Sequence, residues 1–300
     1  MSDNVKEEEF MLDMIADFGK IQAFKKTKPL LLCVDSDGCV MNTMDAKHTR
    51  CFGPLLVKEW GLWEHEKEVL SLWNNINLYT KTRGVNRFRG LALTLKAVNS
   101  RYRPVDGVGN LLHWSEGQVL SEDSLVKEIE KNPEVLIFKK ALAWSRAVNR
   151  ASENLFSEHS GAFKGAKEAL EYAHRYADVA VVSGASPERL LDEWRESGLV
   201  SLADVFLAQD CGKKSTCIKK LLEKGYSGKD VLVCGDSLGD LEAAEENSAF
   251  FYPVIAGREE KSWAEFEAAF DKFRGQTYSE ENNIKKAELL SVLQGGKIDG

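Results

Sequence analysis

The chain has 300 residues, of which 43% are hydrophobic and 29% are charged, and its formal net charge is −7. This composition supports a sizeable core and excludes a disordered chain, and the length suits two domains better than one. No basic stripe appears, which argues against a nucleic-acid binder. No apolar run approaches the ~20 residues that span a bilayer, and the acidic N-terminus does not resemble a signal peptide. We therefore expect a cytoplasmic protein without a nucleic-acid or membrane partner.

An amphipathic helix is predicted within residues 1–27. Apolar residues recur at helical spacing from Phe10 to Phe24 and form one stripe. The stripe is expected to pack on the body of the protein, and binding to a partner is the alternative. The role of this helix is left open, as is the oligomeric state, monomer or homodimer.

Five apolar runs predict buried parallel strands: Leu30–Val34, Val179–Val182, Val205–Ala208, Val231–Cys234 and Phe250–Ile255. Helical patterns separate the later runs, at Lys164–Tyr176, Pro187–Ser197, Thr216–Lys224 and Leu238–Glu246. Strands that alternate with helices predict an α/β fold, with a Rossmann-like parallel sheet covered on both faces.

A helical insert interrupts this pattern after the first strand. The predicted α/β core comprises residues 28–44 and 159–275, the helical domain residues 45–158, and a polar tail, helical or frayed, residues 276–300. Hinges are expected near residues 43–47 and 157–162. Five helices are predicted in the insert: Ala46–Trp60, Glu64–Tyr79, Phe88–Asn99, Glu122–Lys131 and Pro133–Ala151.

None of the six cysteines forms a Cys-x-x-Cys pair, and no Cys/His cluster has the spacing of a zinc site. All six are therefore interpreted as reduced thiols in a reducing compartment.

The sequence Asp35-Ser36-Asp37-Gly38 follows the first strand directly. Two carboxylates separated by one residue can divide the work of a nucleophile and of a general acid/base. An acidic turn is the alternative. A calcium loop is rejected, because it requires glycine at its sixth position and glutamate at its twelfth, where this chain has Ala46.

The sequence Ser183-Gly184-Ala185-Ser186-Pro187 follows the second predicted strand. The Ser183 hydroxyl and the following backbone N–H groups, beginning with Gly184, are candidates for binding phosphate oxygens. The alternative is a structural helix start, with Ser186 as the N-cap and Pro187 at the first helical position. The two interpretations are compatible, because they use different serines.

Lys213 and Lys214 precede a predicted helix, where a lysine can neutralise the nucleophile and a transferring phosphate. A solvated surface pair is the alternative. Lys214 is preferred because it lies nearer the start of the helix, and Lys213 is left open.

Asp236 and Asp240 follow the strand that ends near Cys234. Two carboxylates at the end of a buried strand are suited to a Mg²⁺ site. An acidic start of a helix is the alternative, and it applies to Asp240 more than to Asp236.

The four motifs occur in one order, each after a predicted strand, and together they resemble the haloacid dehalogenase superfamily. The resemblance covers residues 28–44 and 160–275, and the helical insert lies where that superfamily carries a C1-type cap. It implies a phosphoryl-transfer enzyme with a Rossmann-like core.

The resemblance also implies roles for individual residues. Asp35 is expected to be the nucleophile and Asp37 the general acid/base. Ser183 would bind phosphate, and Lys214, or else Lys213, would bridge Asp35 and the phosphate. Dehalogenases of the superfamily lack the second acid, so Asp37 points to phosphate esters.

The implied cofactor is Mg²⁺. Its predicted protein ligands are Asp35, the backbone carbonyl of Asp37, and Asp236, and Asp240 is expected to support the site directly or from behind. Cys39 departs from the threonine that is usual in the superfamily after Asp-x-Asp-Gly.

Specificity is expected to lie in the cap. Gly84-Val85-Asn86-Arg87 resembles the substrate-specificity loop of β-phosphoglucomutases, so Arg87 is a candidate for binding a second phosphate. Lys47, at the hinge, is a second candidate. A solvated basic helix start is the alternative for Arg87, and a surface or packing role is the alternative for Lys47.

The leading prediction is a phosphatase that acts on a small phosphorylated metabolite. The alternatives are a sugar-phosphate mutase of the β-phosphoglucomutase type and a catalytically silent binding domain with the same fold.

Overall fold

The computed structural model describes residues 21–116, 120–153 and 161–294. Contacts between residues divide the chain into two compact units, one formed by Met1–Asn42 with Gly161–Leu289 and the other by Thr43–Ser160 with Leu290–Gly300. Within the described residues, no helix has both the length and the apolar character that crossing a membrane requires.

The first unit contains a sheet of five strands, all paired in parallel in the order β3-β2-β1-β4-β5. The predicted α/β class with a parallel sheet is therefore confirmed. The strands are β1 Leu30–Val34, β2 Ala177–Val182, β3 Val205–Leu207, β4 Val231–Gly235 and β5 Phe250–Pro253.

The strand order makes β1 central. After β1 the chain adds β2 and then β3 on one side, and it returns to add β4 and β5 on the other. Ligand sites in open α/β sheets lie at the carboxyl ends of the strands where the order reverses, which here is between β1 and β4. Val34 pairs with Val181 on one side and with Cys234 on the other, so the residues that follow these three strands emerge at one edge.

Helices are the regular secondary structure in the described part of the second unit between residues 43 and 153, and short turns and irregular segments connect them. Two π-helical turns, His48–Phe52 and Asn75–Tyr79, extend neighbouring α-helices. The helices are α1 Met44–Lys47, α2 Gly53–Trp60, α3 Glu66–Asn74, α4 Arg87–Arg101, α5 Val108–Trp114, α6 Glu122–Lys131 and α7 Leu136–Glu153. The sequence did not predict α5. The aromatic core of this unit is built around Trp73 and Trp144, which are completely buried.

Helices cover both faces of the sheet. On one face, Leu32 and Val34 share a core with Trp194 and Phe266. On the other, Cys33 lines a small cavity with residues of two further helices. The helices of this unit are α8 Ala166–His174, α9 Pro187–Glu196, α10 Lys214–Leu222, α11 Leu238–Glu246, α12 Glu259–Arg274 and α13 Ser279–Gln294. The sequence analysis did not predict α12.

The segment predicted as a polar tail contains α13, which docks on the edge strand β5. Asn282 Oδ1 accepts the backbone N–H of Phe251 at 2.8 Å, and the Tyr278 hydroxyl donates to the Phe251 carbonyl at 3.0 Å. These bonds occupy the outer edge of β5, where unpaired backbone groups would otherwise be exposed.

A buried carboxylate fixes the chain just before β1. Asp178 accepts the N–H groups of Thr27 (2.8 Å) and Lys28 (2.9 Å), the Thr27 hydroxyl (2.5 Å) and the Tyr226 hydroxyl. Burial alone would raise the pKa of Asp178, but the hydrogen bonds from Thr27, Tyr226 and Lys28 outweigh it and hold the pKa below its ordinary value.

The helix predicted for residues 1–27 is not formed in its described part. Residues 1–20 lie outside the described residues, and residues 21–27 form a turn followed by an irregular segment. The physical reason is that Thr27 and Lys28 are bound to Asp178, and Pro29 disfavours a helical conformation for the residue before it.

Candidate functional site

Asp35 begins the loop after the central strand. Its backbone N–H continues the ladder to β4 by donating to the Cys234 carbonyl at 2.9 Å, so the position of its Cα is fixed by the sheet. The residue is 8% exposed, and its Oδ2 lies 2.9 Å from the Lys214 ammonium. A carboxylate that is nearly buried and still open at the strand end is suited to act as a nucleophile.

Lys214 is the first residue of α10, and its ammonium bridges two carboxylates. Nζ lies 2.6 Å from Asp240 Oδ1 and 2.9 Å from Asp35 Oδ2. Lys213 is the N-cap of the same helix, and no hydrogen bond or ion pair to these carboxylates is found for it. Of the two lysines, Lys214 is the one that the fold brings to Asp35.

Asp240 uses both of its carboxylate oxygens. Oδ1 accepts from Lys214, while Oδ2 accepts the backbone N–H of Ser237 at 3.1 Å and the Ser237 hydroxyl at 2.6 Å, in a capping box at the start of α11. The carboxylate therefore holds Lys214 and starts the helix at the same time; of the two predicted ways of supporting the metal site, directly or from behind, this geometry favours the second.

Gly235 allows Asp240 to approach the end of β4. A Cβ at Gly235 would lie 2.3 Å from Asp240 Cγ and 2.4 Å from its Cβ. No pattern in the sequence predicts this close approach, which is visible only in the folded chain.

Three buried carboxylates converge at this edge of the sheet. One oxygen each from Asp35, Asp236 and Asp240 lies within 4.8 Å of the others. Burial raises the pKa of Asp35 well above its ordinary value; Lys214 opposes this rise, and Asp240 and Asp236 add to it. Burial disfavours the charge on Lys214, yet Asp240 and Asp35 raise its pKa above the ordinary value, so the lysine stays protonated.

This donor set fits a divalent cation. Three carboxyl groups share one ammonium in a buried place, and hard oxygen ligands are those that Mg²⁺ prefers. Asp35 and Asp236 would hold the ion, because both oxygens of Asp240 are engaged by Lys214 and Ser237. The backbone carbonyl of Asp37 stays a predicted ligand.

Asp37 is half-buried and lies in the tight loop after Asp35. Gly38 adopts φ 78°, a conformation that favours glycine, and its N–H donates to the Met41 carbonyl at 2.9 Å. The loop thus returns the chain toward the sheet with two acidic residues at its start.

Ser183 follows β2 and is buried. Its N–H donates to the Leu207 carbonyl at 2.9 Å, and its hydroxyl accepts the N–H of Ala185 at 3.2 Å. Gly184 is exposed, and a Cβ there would contact nothing within 4 Å. Ser186 occupies the N-cap of α9 and Pro187 its first helical position, as the structural interpretation predicted, and the Ser186 side chain makes no capping hydrogen bond.

Arg87 and Lys47 belong to the helical unit. Arg87 is the first residue of α4; it donates to Asn149 Oδ1 at 2.6 Å, and its guanidinium lies 5.2 Å from the centre of the Phe52 ring. Lys47 ends α1 and is half-buried. Their roles in substrate binding stay predictions.

Sequence reasoning missed two buried tryptophans that bind the loop after Asp35. The Trp194 indole donates to Ser36 Oγ and the Trp263 indole to the Cys39 carbonyl, both at 3.0 Å. Their only signal in the sequence is an aromatic residue on the apolar side of a helix, which is equally typical of a core position.

No family model matches the sequence, and no curated protein matches it either. Among solved structures, the chain is similar to a haloacid dehalogenase-like family hydrolase from Xanthomonas campestris, with 15% identity, 85% of this chain and 96% of that chain covered, and a TM-score of 0.47. It is similar to a predicted phosphoglycolate phosphatase from Haemophilus somnus, with 16% identity, 76% and 85% covered, and a TM-score of 0.45. A protein assigned as a β-phosphoglucomutase from Thermotoga maritima shares 18% identity over 75% and 84% of the two chains, with a TM-score of 0.43. Such identities and TM-scores transfer neither an activity nor a substrate to this chain, so the proposals below rest on the geometry of its own site.

Proposed function

We propose that this protein is a Mg²⁺-dependent phosphatase of the haloacid dehalogenase type, which hydrolyses a small phosphorylated metabolite through an aspartyl-phosphate on Asp35. The observation that carries the proposal is the contact of Lys214 with Asp35 and Asp240 beside a third buried carboxylate. A structural ion pair would need one carboxylate, whereas this cluster has three at the carboxyl edge of a parallel sheet.

The two acids have different roles: Asp35 is the nucleophile and Asp37 is the general acid and base. An oxygen of Asp35 attacks phosphorus, the bond from phosphorus to the ester oxygen breaks, and Asp37 gives its proton to the leaving alkoxide. Asp37, now a carboxylate, takes a proton from water as the water oxygen attacks phosphorus. The second step releases inorganic phosphate and restores the Asp35 carboxylate.

The remaining residues stabilise the negative charge on the phosphate oxygens during the transfer. Lys214 lies against Asp35 and is protonated, so it favours the anionic oxygens that gather there. The Ser183 hydroxyl and the N–H of exposed Gly184 are proposed to bind phosphate oxygens. A bound Mg²⁺ would act as a Lewis acid that neutralises phosphate charge.

The proposed substrate is a small phosphate ester. Arg87 and Lys47 are proposed to recognise the part of the substrate that is not transferred.

All six cysteines are free thiols, which supports the predicted reducing, cytoplasmic compartment.

The test is phosphate release from a panel of phosphorylated metabolites, with and without Mg²⁺. Asp35→Asn is compared with Asp210→Asn, which makes the same change at an exposed aspartate of the same unit. We expect Mg²⁺-dependent release that Asp35→Asn abolishes and Asp210→Asn retains.

A second experiment tests the roles of Asp35 and Asp37 separately. Asp37→Asn is mixed with an aryl phosphate whose leaving group needs no proton, and the acid-quenched enzyme is analysed by mass spectrometry for phosphate on the peptide that contains Asp35. Accumulation of the phosphopeptide supports the proposal. Phosphoenzyme without free phosphate in the wild type would instead indicate a mutase, and neither product from any substrate would indicate a silent binding domain.

A further inference from the structure

The loop from Asp35 to Met41 carries both acids of the proposed chemistry, and Ser36 lies between these two acids. The Ser36 carbonyl accepts the N–H groups of Cys39 at 3.2 Å and Met41 at 2.8 Å. These bonds close the loop upon itself, and backbone bonds attach its two ends to the rest of the unit: the Asp35 N–H donates to the Cys234 carbonyl and the Phe163 N–H to the Val40 carbonyl, both at 2.9 Å.

The side chain of Ser36 attaches the loop at a further point, between these two ends. Ser36 is completely buried, and its Oγ accepts the indole N–H of Trp194 at 3.0 Å. Trp194 lies on α9, is also completely buried, and packs edge-on against Phe206 with ring centres 5.3 Å apart. Because Ser36 is the one residue between Asp35 and Asp37, and the sheet fixes the Asp35 Cα, this bond restrains the position of Asp37 relative to Asp35.

A second indole holds the other end of the loop. Trp263, on α12, donates its N–H to the Cys39 carbonyl at 3.0 Å in a buried environment. Gly165 packs against Trp263, since a Cβ at that glycine would lie 3.2 Å from Trp263 Cβ. The loop is thus bound by two rigid side chains that come from two different helices.

We propose that Trp194 is a positioning residue, which acts through Ser36 Oγ to hold Asp35 and Asp37 at the spacing that phosphoryl transfer needs, and that Trp263 assists it through the Cys39 carbonyl. The inference rests on the proposed function. A displacement of about 1 Å in a reacting group can cost about 100-fold in rate.

The test compares Trp194→Phe, Ser36→Ala and Trp263→Phe with the wild type. Trp144→Phe is the matched control, because Trp144 is also completely buried and also donates its indole N–H to a backbone carbonyl, that of Phe52 at 3.2 Å, in the helical unit. All four variants keep an apolar or small side chain in place and remove at most one hydrogen bond.

We expect kcat for phosphate release to fall about 10- to 100-fold in Trp194→Phe and Ser36→Ala, with KM changed less than about twofold, because the interaction matters for the reacting geometry rather than for substrate binding. The double variant Trp194→Phe/Ser36→Ala should have a kcat no lower than that of the slower single variant, since each change removes the same hydrogen bond. Trp144→Phe should keep the wild-type kcat. Unchanged kcat in Trp194→Phe and Ser36→Ala would overturn the inference.

Amide hydrogen exchange gives a readout that does not depend on activity. The peptide that covers residues 35–42 should exchange faster in Trp194→Phe than in either the wild type or Trp144→Phe. If the wild type releases no phosphate, the proposed function fails, and exchange at this peptide alone decides whether Trp194 holds the loop. Exchange equal to that of the wild type would overturn the inference in either case, and Ser36→Ala and Trp263→Phe supply the same comparison if Trp194→Phe does not fold.

Discussion

Gly235 lies at the end of β4, where it has no space for a side chain. A Cβ added there would lie 2.3 Å from Asp240 Cγ, 2.4 Å from Asp240 Cβ and 2.6 Å from Asp240 Oδ2. A rotation of the Asp240 side chain cannot relieve the contact with its Cβ, so the start of α11 has to move. Gly235→Ala should therefore displace Asp240 from both Ser237 and Lys214.

The magnitude follows from the bonds that Asp240 makes. Overpacking of a buried site costs about 1–3 kcal/mol, and a hydrogen bond to a charged group contributes about 1.5–3 kcal/mol. We expect Gly235→Ala to lose about 2.5–6 kcal/mol of unfolding free energy, which is the sum of those two terms. If the Lys214–Asp240 bond is needed in the transition state, kcat falls about 10- to 150-fold, at about 1.4 kcal/mol per decade.

Gly239→Ala is the matched control, because it makes the same substitution only four residues further along the chain, in the first turn of α11. Its Cβ would meet only Ser237 Oγ at 3.6 Å, which is an ordinary contact. Urea unfolding and phosphate release are measured for both variants. The reasoning is refuted if Gly235→Ala matches Gly239→Ala in both measurements, since the close approach of Asp240 would then have no consequence.

Three further outcomes are expected. Lys214→Ala should lower kcat at least about 100-fold, because it removes the cation beside the nucleophile, while Lys213→Ala in the same assay should stay near the wild type; equal losses would contradict the assignment. Asp178→Asn should lower the unfolding free energy at pH 7 by about 2–3 kcal/mol. The pKa of Asp178 is lower in the folded chain than in the unfolded chain, so the stability that its ionised carboxylate contributes is present above about pH 3.9 and is lost as pH falls through the folded-state pKa. Urea melts at several pH values should therefore show the unfolding free energies of the wild type and Asp178→Asn converging in acid. A difference that stays constant with pH would contradict the lowered pKa. Asn282→Ala should cost about 1–3 kcal/mol, because a buried strand N–H loses its acceptor, whereas Ile284→Ala, at an exposed position of the same helix, should be neutral in the same melts.

The sequence determined which segments form the sheet and which residues follow them. Continuous apolar runs predict buried parallel strands because both faces of such strands are covered, and β1 was predicted with the bounds that the structure has. Since the carboxyl ends of parallel strands share an edge, residues after β1, β2 and β4 could be expected at one place. That expectation needed no knowledge of side-chain positions.

The tertiary structure decided everything that depends on a separation of a few ångströms. The strand order brings β1 and β4 together, which sets Asp35 beside the residues after β4. Only the folded chain shows Lys214 rather than Lys213 at Asp35, since a helix places consecutive side chains about 100° apart and this helix starts at Lys214, two residues before the predicted start at Thr216. The indole of Trp194 reaches Ser36 from 158 positions away along the chain. No local pattern encodes such a bond, because periodicity reports which face of a helix is buried and not which polar atom that face will meet.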